Sequence, residues 1–251
     1  MDLGLKGKKA IVTGGTKGIG RAIADMLADE GASVAVCARN DAEVKSAVKA
    51  LTAKGVKASG RALDVADGAA LKSWIADAAG ELGGLDILVC NVSALSVGDT
   101  EETWTKSFQV DILHTVNSVA AALPFLEKSK AASIVIISSV SGLEIDFASG
   151  SYGGVKAALI HYSKALSQKL AGKGIRVNVV SPGNIYFEGG IWQQIERGMP
   201  DLFKTQMAAN PTGRMGTAEE VAHGTVFLAS PVASRITGTN LIIDGALIKA
   251  V

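Results

Sequence analysis

The run Thr13-Gly14-Gly15-Thr16-Lys17-Gly18-Ile19-Gly20 lies between a short apolar segment and a helical pattern. Glycines at 14, 18 and 20 remove side chains where a backbone must approach a pyrophosphate. A helix starting there offers free N–H groups and a positive dipole end to an anion. The spacing is G-x-x-x-G-x-G, not the G-x-G-x-x-G of the general dinucleotide fingerprint. A plain glycine-rich turn is the other reading. Its place after a first strand and before a first helix favours the dinucleotide. Gly14, Thr16, Lys17, Gly18, Ile19 and Gly20 are therefore cofactor-binding candidates.

On either side, short apolar runs alternate with longer amphipathic stretches. Residues 10–13, 33–38, 58–63, 87–91, 133–138, 176–181 and 241–244 read as strands. Most are apolar at both parities, as strands covered on both faces are. Helical patterns span roughly 18–30, 41–53, 67–82, 101–127, 151–172 and 218–229, the last with Thr217 and Glu220 at capping-box spacing. Such alternation predicts a parallel sheet with helices on both faces, an α/β fold in one domain over 1–251. The stretch 184–216 breaks the alternation and reads as a lid or binding loop.

Composition narrows the function. The 251 residues carry 25 basic and 24 acidic side chains, a net charge of +1 that argues against a nucleic-acid partner. Apolar residues at 48% can build a large core. No apolar run is long enough to span a membrane, and no signal-peptide core follows Met1, so a cytoplasmic protein is expected. Cys37 and Cys90 read as buried free thiols, and His114, His161 and His223 match no metal spacing.

The second strand ends at Arg39, where NAD enzymes place an acid for the ribose hydroxyls. With Lys17 in the glycine turn, two cations suit a 2′-phosphate and leave no acceptor for a 2′-hydroxyl. NADP(H) is therefore expected over NAD(H); solvated surface charges are the alternative. Asp64 suits the adenine amino group or a helix N-cap.

Tyr152-Gly153-Gly154-Val155-Lys156 opens a helical pattern, so the phenol and the ammonium share a face. The ammonium favours phenolate, and a phenol so tuned can give or take a proton at an oxygen. Ser139 lies at the end of the fifth strand, where ligands bind in open α/β sheets.

Thr13–Gly20, Ile137-Ser138-Ser139, Tyr152-x-x-x-Lys156, Asn178-Val179-Val180-Ser181-Pro182-Gly183 and Ile236-Thr237-Gly238 occur in one order along the chain. In this the sequence resembles the short-chain dehydrogenase/reductases over its whole length, with 3-oxoacyl-carrier-protein reductases the nearest general match. The resemblance implies a doubly wound Rossmann sheet of seven parallel strands in the order 3-2-1-4-5-6-7, with Cys37 and Cys90 too far apart to bridge. It implies Tyr152 as general acid/base, Ser139 on the substrate oxygen, and Lys156 on the nicotinamide ribose hydroxyls. Val65, Asn91, Pro182, Gly183 and Ile185 would border the cofactor. A homotetramer built through the two long helices and the C-terminal region is also implied, with the tail Ala246–Val251 buried there or on its own subunit.

Three departures stand out. Cys90-Asn91-Val92-Ser93 replaces the family's Asn-Asn-Ala-Gly. Asp111 stands where the fourth catalytic residue, an asparagine, is usual; near Lys156 it would stabilise the ammonium yet weaken its pull on the Tyr152 proton. Phe187 replaces a threonine and adds an aromatic wall.

Ser93, Ala94, Leu95, Ser141, Leu143, Phe147, Tyr186, Phe187, Ile191 and Trp192 border the expected substrate pocket. Their mostly apolar character suits an apolar or acyl-bearing ketone over a free sugar. Lys128, Lys130 and Lys173 could meet an acidic carrier protein, while Glu144, Asp146 and Glu188 would oppose one. The expected activity is NADP(H)-dependent interconversion of a ketone and a secondary alcohol. Two alternatives remain: an NAD(P)-linked alcohol or polyol dehydrogenase, and a catalytically weak NADP-binding sensor or scaffold.

Overall fold

A computed structural model describes residues 2–250; Met1 and Val251, the ends of the expected N-terminus and tail, lie outside the described residues. Seven strands form one sheet: β1 Lys9–Thr13, β2 Ser33–Ala38, β3 Ala58–Ala62, β4 Ile87–Cys90, β5 Ser133–Ile137, β6 Arg176–Pro182 and β7 Asn240–Ile243. All neighbours pair in parallel, in the order β3-β2-β1-β4-β5-β6-β7. Ala10 lies opposite Val34 on one side and Ile87 on the other, so β1 is central to the first half of the sheet.

The helices are α1 Gly18–Asp29, α2 Asp41–Ala53, α3 Gly68–Leu82, α4 Glu101–Ser107, α5 His114–Leu126, α6 Ser151–Ala171, α7 Ile191–Gly198, α8 Pro200–Ala209 and α9 Ala218–Ala229. Strand parity sends alternate side chains to opposite faces. Ile11, Leu88, Ile134 and Val177 pack with α3, α5 and α6. Val12, Val36, Val89 and Val180 pack with α1, α2 and α9. Each fully buried aliphatic side chain contributes roughly 1.5–3 kcal/mol, so two such layers dominate the stability. The edge strands are the exceptions: β3 leaves Gly60, Arg61 and Ala62 exposed, and β7 leaves Ile242 exposed. A charged side chain on an edge discourages pairing with another chain.

Three expectations need correction. The span 101–127 is not one helix: a π-helical turn, Phe108–Leu113, separates α4 from α5. Asp64 does not cap α3; Asp67 does, accepting from the N–H groups of Ala69 and Ala70, while Asp64 accepts from Ala66. The stretch 184–216 is not a plain loop but carries α7 and α8, with Trp192, Ile195 and Met215 forming a small core of their own. Cys37 and Cys90 are both free and buried, and burial pushes each thiol up to about 12. Among the described residues, no helix is long and apolar enough to cross a membrane.

Candidate active site

A cleft of about 770 Å³ opens at the C-terminal ends of the strands. It is lined by Gly14, Thr16, Lys17, Ile19, Gly20, Arg39, Asp64, Val65, Asn91, Pro182, Gly183 and Ile185, all expected there from sequence. Ser139, Tyr152 and Lys156 open into the same cleft, as do Ser93, Leu95, Phe187 and Trp192. The chain thus brings the glycine turn and the Ser-Tyr-Lys set to one surface.

The glycine turn is held tightly. Asn91 Nδ2 donates to the carbonyls of Thr13 and Gly14 at 3.1 and 3.3 Å, and its N–H donates to Thr13 Oγ1. Gly14 adopts φ +68°, a conformation that costs any residue with a Cβ. A Cβ on Gly20 would collide with the Gly14 carbonyl oxygen and the Asn91 amide. Helices α2, α3, α4 and α9 begin with a side-chain cap from Asn40, Asp67, Thr100 and Thr217. Helix α1, like α5, α6, α7 and α8, begins with none, and its N-cap, Lys17, has extended backbone geometry. The start of α1 borders the cleft through Lys17, Ile19 and Gly20, and without a capping side chain it fits the pyrophosphate of a dinucleotide.

Lys156 lies one turn after Tyr152 on α6, with Nζ 5.5 Å from the centre of the phenol ring. Nζ donates to the Ile137 carbonyl at 3.3 Å and lies 3.0 Å from Asp111 Oδ1. Both partners of this ion pair are buried, 2% and 1% exposed. Burial alone would push the Lys156 ammonium down, but the Asp111 carboxylate, aided by Tyr152, more than reverses this and leaves its pKa raised. Asp111 reaches Lys156 from the π-helical turn, and its Oδ2 accepts from the Ala94 N–H at 3.0 Å. His114, one helical step on, is buried with Nε2 3.0 Å from Thr13 Oγ1. Burial pushes it down to about 4, with the Lys156 charge acting in the same direction against Asp111.

Ser139 caps a single 3₁₀ turn, Val140–Gly142. Its Oγ lies 3.2 Å from Ser141 Oγ, which donates to Asp146 at 2.6 Å. A hydroxyl chain therefore runs from Ser139 to a carboxylate.

Six expected site residues do not line the cleft, Leu143 and Tyr186 among them. Asp111 stands behind Lys156. Gly18 is covered by the Phe187 ring, which would clash with any Cβ there. Ser141 is engaged with Ser139 and Asp146. Phe147 packs edge-on against Trp192, with ring centres 5.3 Å apart. The sequence reading missed Glu43, Lys106, Gln109 and Val110, which do line it. Glu43 is an acceptor that the sequence reading did not place beside Lys17 and Arg39: it lines the cleft with both and pairs with Lys17 at 2.7 Å. Arg39 is exposed, and its guanidinium has no ion pair among the described residues.

Comparison with known proteins agrees with this geometry. The family described as enoyl-(acyl carrier protein) reductase matches residues 14–247. Isoepoxydon dehydrogenase of Aspergillus clavatus is 39% identical over 250 residues, covering 97% of this chain and 95% of the relative. The 3-oxoacyl-[acyl-carrier-protein] reductase of Chlamydia muridarum is 34% identical, covering 97% of this chain and 98% of its own. The L-sorbose reductase of Gluconobacter frateurii, solved with NADPH and L-sorbose, superposes over all of both chains with TM-score 0.92 and 28% identity.

Proposed function

Because this chain belongs to the short-chain dehydrogenase/reductase family, we propose that it is an NADP(H)-dependent oxidoreductase interconverting a ketone and a secondary alcohol, with Tyr152 as acid/base. The observation that carries the reading is the single cleft shared by Ser139, Tyr152, Lys156 and the uncapped start of α1. When bound, the nicotinamide would supply or accept the hydride. Gly14, Ile19 and Gly20 would hold the pyrophosphate at the start of α1, and Pro182, Gly183 and Ile185 would border the nicotinamide. Asp64 and Val65 would border the adenine, and Arg39 and Lys17 would meet the 2′-phosphate. Tyr152 protonates the substrate oxygen in reduction and takes its proton in oxidation. Lys156 holds the ribose hydroxyls and keeps a positive charge beside the phenol. Ser139 hydrogen-bonds the substrate oxygen and fixes it for transfer.

The substrate face supports an apolar or acyl-bearing ketone. Leu95, Phe187, Ile191 and Trp192 line it, Ser93, Lys106 and Gln109 are polar members of the same cleft, and residues 184–216 act as the lid. Oxidation of a secondary alcohol is the second reading, supported by the name of the Aspergillus clavatus relative. A homotetramer belongs to the proposal, supported by Trp104, Phe108 and Leu113, each at least 40% exposed beside the π-helical turn. A cytoplasmic setting suits the two unpaired cysteines.

The test is Tyr152→Phe, assayed against a panel of ketones with NADPH. Loss of the proton donor is expected to lower kcat/KM by about 10²- to 10⁴-fold while NADPH binding persists. Retained turnover would remove Tyr152 from the role given to it.

A further inference from the structure

We propose that Glu43 is a specificity-determining residue that holds down the preference for a 2′-phosphorylated cofactor. The inference rests on the cofactor placement given above. Glu43 lies in the first turn of α2, where the Asn40 side chain accepts from its N–H at 3.2 Å and fixes the start of the helix. From there its carboxylate reaches back to the glycine turn: Oε1 lies 2.7 Å from Lys17 Nζ, and Thr16 Oγ1 donates to Oε2 at 3.4 Å. Glu43, Lys17, Arg39 and Asn40 line the same part of the cleft.

The pair changes the charge that a ribose 2′ group meets. Lys17 and Arg39 alone give +2, and with Glu43 the set is 2 − 1 = +1. A 2′-phosphate carries charge of the same sign as Glu43, and it competes with Glu43 for Lys17. A 2′-hydroxyl is a donor as well as an acceptor, and a carboxylate can receive its hydrogen bond. The same side chain therefore penalises NADP(H) and tolerates NAD(H). Arg39, exposed and unpaired among the described residues, is left as the main attraction for the phosphate.

The energy scale is set by exposure. The Lys17 side chain is 63% exposed and that of Glu43 31%, so solvent screens the pair strongly. A change of about tenfold in the NADPH-to-NADH affinity ratio is the expected scale for one such charge.

The experiment is a fluorescence titration of NADPH and NADH against wild type, Glu43→Gln and Arg39→Ala, at low and high salt. Glu43→Gln is expected to raise the NADPH-to-NADH affinity ratio about tenfold, with the gain shrinking as salt rises. An unchanged ratio would make Glu43–Lys17 a surface pair without bearing on the cofactor and overturn the proposal, and so would a fall in the ratio. Arg39→Ala tests the parent reading separately. A collapsed ratio supports the 2′-phosphate placement, and an unaffected ratio refutes it whatever Glu43→Gln does. Lys17→Met with Glu43→Gln gives the second variant. If the ratio still rises on removing Glu43 in the Lys17→Met background, the repulsion is direct. If it no longer rises there, competition for Lys17 is the route. If neither background responds, the proposal fails.

Discussion

Arg176 and Lys156 are both buried cations, and they sit at opposite ends of the sheet. Arg176 opens β6, and its guanidinium donates to the carbonyls of Leu228, Ala229, Ser230 and Ile236. These include the last carbonyls of α9, which have no helical partner. A cavity of about 490 Å³ lies beside it, lined also by Lys130 and Arg235, and the Arg176 charge is already engaged with the backbone. Lys156 has one backbone carbonyl and one carboxylate, and it lines the cleft. Burial lowers the pKa of Arg176, whereas Asp111 turns the same penalty into a raised one at Lys156. The first cation joins two elements. The second is poised by a single counter-charge, the arrangement that leaves a group free for chemistry.

Replacing Arg176 by Met is expected to have the largest effect on stability. It strands several buried carbonyls and is expected to cost about 3–5 kcal/mol in chemical denaturation. Turnover per folded molecule should survive; selective loss of activity would break the contrast between the two ends.

His114 gives the next effect. The unfolded chain takes up a proton near pH 6.5, while the folded chain resists until about pH 4. Stability from neutral His114 is therefore complete above pH 6.5 and falls away as pH drops toward 4, by about 3 kcal/mol in all. Denaturation midpoints measured across that window should fall steeply in wild type and less in His114→Gln. Equal slopes would show that other groups set the acid limb.

Asp111→Asn is expected to have the smallest effect. Asn retains an oxygen for the Ala94 N–H but withdraws the charge from Lys156, so stability should drop by about 2 kcal/mol. Activity near neutral pH is expected to fall, because burial without the carboxylate pushes the Lys156 ammonium down and weakens its pull on the Tyr152 proton. Unchanged activity would show that Lys156 keeps its proton without Asp111.

Local signals made much of this readable. The Thr13–Gly20 turn, the two-parity apolar strands and the Thr217/Glu220 capping box all appear where their sequence patterns lie. Ser139, Tyr152 and Lys156 converge as their spacing and family resemblance implied. What escaped depends on neighbours distant in sequence. Glu43 looks like any acidic residue in a helix's first turn until α2 is folded against the glycine turn. Phe187 covers Gly18 only because β6 and β1 lie in one sheet. The amphipathic pattern over 101–127 is continuous, since one extra residue in a turn barely alters a hydrophobic stripe.

That extra residue works as a spacer between two rigid bodies. The π-helical turn Phe108–Leu113 sets the angular phase of α5 relative to α4 and delivers Asp111 to Lys156. Removing one residue would restore an ordinary helical turn and abolish the widened turn from which Asp111 reaches Lys156. Position 111 can therefore exchange one side chain for another over evolutionary time. The length of the segment carrying it cannot change without dismantling the site, so insertions and deletions should be far rarer here than substitutions.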